Sequence, residues 1–478
     1  MKKIITTVKQ ILNKKQKTMS IQSINPFTLE VLQSFDAMTN EEIDDAITKA
    51  HNTYQNWKIR PYEDRAIILN KVAAILRLRK AELSKLITSE MGKLIAQAES
   101  EIDYAASIFE YYANHGEEFL KDEKVAVEKG EAFIRKNPLG VLLGVEPWNF
   151  PFYQVARFAA PNIMIGNTIL LKHASNVPQC AKVIETIFKE AGAPEGLYTN
   201  LFIRGAKISK LIADKRIQGA SLTGSEKAGS ELAMMAGKYI KKSVLELGGS
   251  DPFIVLEDAD IDRTVNLAIL GRTINNGQSC IASKRFIVME KVADEFLSKF
   301  KAKMNALQLG DPMDKNTQLG PLSSEDALNT ILEQVNKAVS QGAKIEIGGK
   351  KAAIKGAFME PTIISNITSK MDIYQEELFG PVASFYVVKT EKEAIALAND
   401  TEFGLGGSIF TKDLEKAKKI ADQINSGMVF INHPTKSSVE LPFGGTKRSG
   451  YGRELSPLGI DEFVNKKLIR VLSESQTL

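Results

Sequence analysis

Two cysteines serve a chain of 478 residues, and one of them, Cys280, sits in the stretch NNGQSCIASKRF (275–286). A cysteine kept for packing normally hides among apolar neighbours. Backbone-flexible and polar neighbours, Asn, Gly, Gln and Ser, around a thiol are instead the setting of a nucleophile that meets a substrate, or of a chance cysteine on a loop. Such a nucleophile acts as its thiolate. Three further residue sets can serve it. Asn149 lies in PWNFP (147–151), a turn stiffened by two prolines, and its side-chain amide can donate to a developing oxyanion; a structural turn around a buried Trp148 is the other reading. Glu246, in LELGG (245–249), is a carboxylate among apolar residues. Partial burial would raise its pKa towards neutrality and make it a base for water, whereas a salt-bridged strand end is the alternative. The loop LTGSEKAG (222–229) leads from a strand into a helix, where Gly224, backbone N–H groups and the Ser225 hydroxyl can hold a phosphate. Ser225 can equally cap that helix.

The bulk composition bounds what these residues can be part of. At 478 residues the chain exceeds a single hydrophobic core and needs two or three domains. With 62 basic against 58 acidic side chains the net charge is only +4, which points to no nucleic-acid or membrane partner. Two cysteines cannot build a disulfide framework, so a reducing cytoplasmic home is expected. The most apolar stretch, 158–171, is short and broken by Pro161, Asn162, Gly166 and Asn167, and cannot span a bilayer. The chain has no G-x-x-x-x-G-K-S/T loop, no H-E-x-x-H and no C-x-x-C. The four histidines, His51, His115, His173 and His433, show no ligand spacing, so no metal site is expected. Residues 1–28 hold six lysines and no acidic residue; residues 1–18 read as a solvated tail or as the product of an upstream start ahead of Met19.

Elements must position these groups. Thr39 to Glu42 is a capping-box pattern opening a helix with Ile43, Ala46, Ile47 and Ala50 at helical spacing. Helical sequence continues over 62–112, and residues 124–135 alternate like strands around a turn at Gly130. A βα rhythm follows: strands at 141–145 and 168–171, a helix opened by Pro178 and stopped by Gly192, a strand-like segment at Leu201 to Ile203, and a strand at 219–222. Strands alternating with helices predict a parallel, doubly wound α/β sheet, whose ligands bind beyond the carboxyl ends of the strands. A second αβ region runs to about Gly445, and the stretch Glu462 to Val471 again reads as a strand.

Taken in order, PWNFP, LTGS, LELGGSDPFIV, NNGQSCIASKR, EELFGPV (376–382) and PFGGTKRSGYGRE (442–454) resemble the aldehyde dehydrogenase superfamily, over residues 25 to 471. The resemblance implies a Rossmann-like cofactor-binding domain (19–121 and 139–245), an α/β catalytic domain (246–446) and a small β oligomerisation element (122–138 and 462–478). It implies oxidation of an aldehyde to an acid: Cys280 as nucleophile, the Asn149 side chain and the Cys280 N–H as oxyanion donors, and Glu246 as the base that activates water. It also implies a nicotinamide cofactor held by Lys172, Gly224, Ser225 and Glu377, with Trp148 and Phe379 nearby, and a homodimer or homotetramer. Members that pass the acyl group to coenzyme A lack the base at Glu246, so a free acid is the implied product.

Within that resemblance, NAD-preferring relatives commonly carry a glutamate three residues after the lysine. Here KHAS (172–175) puts Ser175 at that place, so NADP is permitted alongside NAD. FYQVARFAAP (152–161) is similar to the bacterial enzymes that oxidise succinic semialdehyde. Arg157 falls where a guanidinium would meet the distal carboxylate, with Ser437 or Ser438 assisting; a surface salt bridge is the plain alternative for Arg157. Ile274 stands where some of those enzymes have a second arginine. Glutarate semialdehyde, a neutral aliphatic aldehyde and a non-catalytic binding role are the other implied possibilities. Ala282 replaces a second cysteine of some relatives, so no local disulfide is expected.

Overall fold

The computed structural model of the chain describes residues 20–472. The expectations for residues 1–18 and for the last six residues lie outside the described residues. The capping box forms as read: Thr39 accepts from the Glu42 N–H and Glu42 reaches back to Thr39 N, and the helix Asn40–Trp57 buries Ile43, Ala46, Ile47 and Ala50.

Two doubly wound sheets carry the molecule. The first has the strand order Gly450–Tyr451, Lys242–Glu246, Ile217–Thr223, Val141–Glu146, Thr168–His173, Tyr198–Asn200. All its neighbours are parallel except the short C-terminal strand. Side chains alternate across the pleat, so one strand feeds two cores. Leu142 faces the layer made with the helices Tyr62–Leu78, Ile95–Phe119 and Tyr153–Ile165, while Val141 and Leu143 face the opposite core with Leu201, Ile203 and Leu222. The helix Tyr153–Ile165 is buried along its whole length. It can lie so close because Gly144 has no side chain: a Cβ there would meet Phe158 Cε1 at 2.6 Å.

The second sheet has seven strands, among them Asp251–Val255, Ser283–Met289 and Val382–Val388. It is parallel apart from the edge strand Lys344–Ile347. It too divides its side chains between two cores, Ile254 and Ile287 on one face and Phe253 and Phe286 on the other. The α/β fold expected from the βα rhythm is therefore present twice.

A third, antiparallel sheet joins Val464–Val471 to Glu131–Pro138, and that strand to Glu123–Lys124, with Gly130 at φ +66° in the connection. One local reading needs correction. The strand expected at Leu201 to Ile203 is Tyr198–Asn200, three residues earlier. Leu201 and Ile203 are apolar because they fill the core as the chain leaves the sheet. Among the described residues no helix is long and apolar enough to cross a membrane.

Candidate active site

In the first sheet the chain order reverses at Val141–Glu146: the next strands lie on one side of it, and Ile217–Thr223 lies on the other. Open α/β sheets bind ligands at such a switch point, beyond the carboxyl ends of the strands. The motifs singled out in the sequence leave the sheet at this end. PWNFP follows Glu146, Gly224 and Ser225 follow Thr223, and Glu246 closes its own strand.

Ser225 is the N-cap of the helix Glu226–Lys238 and accepts from Ala228 N at 3.4 Å. The capping reading therefore holds, and the N-terminal end of that helix keeps its positive partial charge. Gly224 leaves the approach open, since a Cβ there would touch only Leu222 Cδ2 at 3.5 Å. Lys172 is half-buried at the end of the neighbouring strand, and burial lowers its pKa with no carboxylate acting against that shift. An unanswered cation, an open glycine and a helix N-terminus together fit an anionic, phosphate-bearing ligand. Ser175 is exposed beyond them.

The Cys280 loop is built differently from the sequence reading. Asn275 and Asn276 adopt left-handed conformations at φ +50° and +57°, followed by Gly277 at +80°. A Cβ on Gly277 would lie 2.3 Å from the carbonyl carbon of Gly380, so the loop abuts the backbone of the EELFGPV segment. The polar neighbours of the thiol are not flexible bystanders. Asn275, Asn276, Gln278 and Ser279 are all buried. Asn276 Nδ2 donates to Gly92 O and Pro321 O, both at 3.0 Å, and its Oδ1 accepts from Gly320 N at 2.8 Å. Asn and Gly are used here because they tolerate the left-handed turn and because amides satisfy buried backbone groups.

Asn149 belongs to the same network. Its Nδ2 donates to Gln278 O at 3.1 Å, and its own carbonyl accepts from Asn275 Nδ2 at 2.9 Å and from Lys93 Nζ at 2.8 Å. The PWNFP turn and the cysteine loop are thus one hydrogen-bonded unit. Trp148 meets Phe379 edge-on with ring centroids 5.7 Å apart. Glu377 accepts from Gly249 N at 3.0 Å and pairs with Lys284 at 3.2 Å.

Glu246 is fully buried rather than partly so, and neither of its carboxylate oxygens has a hydrogen-bond partner in the protein. Gly444 leaves the room it occupies: a Cβ there would stand 2.8 Å from Glu246 Oε1. Burial holds its pKa well above the ordinary carboxylate range, Arg157 opposes that shift, and Glu454 adds to it. The salt-bridged alternative fails, because no cation pairs with Glu246 within the structure's ion pairs among the described residues. Cys280 is half-buried, and desolvation pushes its thiol up to about 12, against the pull of Arg157 and Lys284. The other thiol, Cys180, is fully buried in a helix, and both cysteines are free.

Arg157 is only 1% exposed, so it is not a surface salt bridge. It pairs with Glu454 through Nε, donates to Tyr153 Oη at 3.2 Å and to Thr223 Oγ1 at 3.0 Å, and lies over the Phe443 ring. Tyr153 Oη is in turn 2.9 Å from Ser437 Oγ, and Ser438 contacts Glu440. Ser437, Ser438 and Phe443 line a cavity of about 180 Å³. Arg272, two residues before Ile274, is buried and donates to the carbonyls of Gly277, Leu378 and Val382.

Sequence reasoning missed Lys93, Glu101, Glu146, Lys284 and Glu454. Glu146 carried a usable signal, a charge closing an otherwise apolar strand, and Lys284 a weaker one, a charge beside Arg285 at the start of an apolar run; Lys93 and Glu101 looked like ordinary helix-surface charges. The assembled geometry offers a desolvated thiol, an amide bonded to its loop and an unpaired buried carboxylate. That set can carry out attack on a carbonyl, stabilise the oxyanion and then activate water.

The model of the aldehyde dehydrogenase family matches residues 12–469. The chain is 49% identical to a succinate-semialdehyde dehydrogenase of the NADP(+) type from Deinococcus radiodurans, over 95% of each chain. It is 46% identical to one from Mycobacterium tuberculosis, over 94% of this chain and 99% of the other. Among solved structures, the succinic semialdehyde dehydrogenase of Streptococcus pyogenes in complex with NADP+ superposes with a TM-score of 0.93. It is 45% identical, over 95% of this chain and all of that one (100%).

Proposed function

The chain belongs to the aldehyde dehydrogenase family, and we propose that it oxidises succinic semialdehyde to succinate with NADP, or with NAD, through a covalent adduct on Cys280. The observation that carries this reading is the single hydrogen-bonded unit of Asn149 and the Cys280 loop, set against the unpaired carboxylate of Glu246. The Cys280 thiolate adds to the aldehyde carbon, and the Asn149 side chain with the Cys280 N–H holds the oxyanion. When bound, the nicotinamide cofactor supplies the hydride acceptor. Its pyrophosphate suits Gly224 and the helix capped by Ser225, its adenosine ribose suits Lys172, its nicotinamide ribose suits Glu377, and Trp148 and Phe379 wall the crevice. Ser175 brings no negative charge against a 2′-phosphate. Glu246, with its pKa raised by burial, takes a proton from the water that hydrolyses the Cys280 thioester.

Arg157 acts on the substrate carboxylate from behind. Its guanidinium is held by Glu454 and Thr223, so Tyr153 and Ser437 are the groups in front of it. Ser438 lines the same cavity. Among the described residues, three units serve this chemistry: residues 20–121 with 139–245, residues 246–446, and residues 122–138 with 462–472, which carry the small sheet. Leu468 and Val471 are exposed on that sheet, a surface suited to covering by a second subunit in a dimer or tetramer. Two free cysteines suit a reducing cytoplasm.

The test is reduced-nicotinamide absorbance with succinic semialdehyde, run with NADP+ and NAD+ in parallel. Cys280→Ala should abolish turnover. Arg157→Ala should damage turnover of the carboxylated aldehyde far more than that of a neutral aliphatic one. Turnover of the neutral aldehyde alone by the wild-type protein would remove the substrate assignment and keep the chemistry.

A further inference from the structure

Lys284 stands on the strand Ser283–Met289, and its side chain is 1% exposed. A lysine is seldom buried without a partner that needs its charge. Its Nζ is surrounded by acceptors alone: Ser279 O at 2.9 Å, Cys280 O at 2.8 Å, Ala282 O at 3.4 Å and Glu377 Oε1 at 3.2 Å. Four acceptors and no donor describe an ammonium, not a neutral amine. That cation therefore touches two things at once, the backbone of Cys280 and the carboxylate of Glu377.

The two ends differ in access. The Cys280 carbonyl is packed so tightly that a Cβ on Gly249 would come within 2.5 Å of it. The Glu377 side chain keeps 21% exposure. The Lys284 charge is thus fixed at the thiol's end and open to competition at the other.

We propose that Lys284 is a positioning residue that couples cofactor binding to activation of Cys280: ligand hydroxyls that engage Glu377 leave the Lys284 ammonium to the cysteine loop. This rests on reading Glu377 as the ribose contact. With Glu377 occupied only by Gly249 N and Lys284, its negative charge cancels much of the lysine's field at the sulfur. Hydroxyl donors on Glu377 spread that negative charge outwards, and the uncancelled ammonium then favours the thiolate. The other charges near Cys280 are Arg157, which favours the thiolate, and Glu246, which opposes it. Those near Lys284 are Glu377, Asp251, Arg272 and the thiol itself. Arg157, Glu246, Arg272 and Asp251 are all buried, so Glu377 is the one member of the set that a ligand reaches from solvent.

The experiment is the pH profile of Cys280 alkylation by iodoacetamide, with and without NADP+. The reaction reports one thiol, because Cys180 is fully buried and Cys280→Ala gives the background. In the wild type, saturating NADP+ should lower the alkylation midpoint by roughly one to three pH units. In Lys284→Met the midpoint should be high with or without NADP+. In Glu377→Gln it should already be low in the free protein, and the double variant should return to the Lys284→Met value. Opposite shifts from two neighbouring substitutions cannot both come from loss of folding. Full retention of the NADP+ effect in Lys284→Met would overturn the proposal. So would a low midpoint in the double variant, since Glu377 would then act on the thiol directly. Binding of NADP+, followed separately by equilibrium dialysis, tells this failure from failure of the cofactor assignment: without binding, the free-protein profiles still decide the role of Lys284.

Discussion

Two buried lysine–glutamate pairs brace the two halves of the crevice, and their difference lies at the glutamate. Lys93 and Glu101 are 0% and 1% exposed at their side chains. Lys93 also donates to Asn149 O and lies 3.7 Å from the centre of the Phe150 ring. The second oxygen of Glu101 accepts from Phe152 N and Tyr153 N, at 2.9 and 3.2 Å, and so caps the buried helix that carries Arg157. Every charge there is answered inside the protein. Lys284 and Glu377 have the same chemistry and are likewise tied to backbone groups, Lys284 to three carbonyls and Glu377 to Gly249 N, but the glutamate opens to solvent. The first pair is a fixed bracket for the oxyanion donor. The second is a bracket that a ligand can open.

Lys93→Met should be the most damaging way to test that contrast. It strands the Glu101 carboxylate in a closed site and leaves the carbonyl of Asn149 with Asn275 Nδ2 as its one remaining donor. Removing one partner of a buried pair costs roughly 3–5 kcal/mol, read from chemical denaturation followed by fluorescence. Turnover should fall with it, because the PWNFP turn loses one of the bonds that hold Asn149. A loss below about 1 kcal/mol would mean that water reaches Glu101 after all, and the distinction between closed and open pairs would go.

Acidity should separate the two halves by sign. His173 accepts from Ala174 N through Nδ1 at 2.9 Å and bonds Pro151 O through Nε2 at 2.9 Å, a pattern that suits only the neutral ring. Burial depresses its pKa to about 4 from the ordinary 6.5. The unfolded chain therefore takes up the proton first, and stability present above pH 6.5 is lost as pH falls towards 4, by at most roughly 3 kcal/mol. Asp251, beside Lys284, shifts the other way: burial raises it from 3.8 to about 6, although Thr435 and Gly406 N bond its carboxylate. Its contribution is full below pH 3.8 and lost as pH rises through about 6. Hydrogen exchange at pH 7 and pH 5, corrected for intrinsic rates, should show looser protection around PWNFP and tighter protection around Asp251. Parallel changes in both segments would erase the distinction.

The sequence made the sealed side less legible than the open one. Motif residues at strand ends announce themselves, since Asn149, Ser225, Glu246 and Cys280 follow short apolar runs and glycines. The doubly wound fold was readable for the same reason, because strand and helix periods alternate cleanly from Val141 to Val255. Lys93 and Glu101 were not readable. They stand eight residues apart around a helix start, in a segment rich in Lys and Glu, and only the packing of that helix under PWNFP makes them interior. Polar residues beside Cys280 suggested flexibility, whereas their amides turn inward to satisfy a left-handed loop. Composition reports which groups are polar; it does not report which way they point.

The smallest expected effect is the stability cost of Lys284→Met, and its size is what decides the comparison. The substitution removes a donor from the carbonyls of Ser279, Cys280 and Ala282 and leaves Glu377 without its cation. Were that site closed, the cost would match that of Lys93→Met. Because Glu377 can rehydrate through its exposed face and still accepts from Gly249 N, only the buried carbonyls stay unanswered, and roughly 1–2 kcal/mol should be lost. The same denaturation measurement reads both variants, so the ratio does not depend on the choice of reference state. A Lys284→Met protein as unstable as Lys93→Met would make both pairs fixed brackets, and the Cys280 loop would then have no opening through which a bound ligand could change its charge.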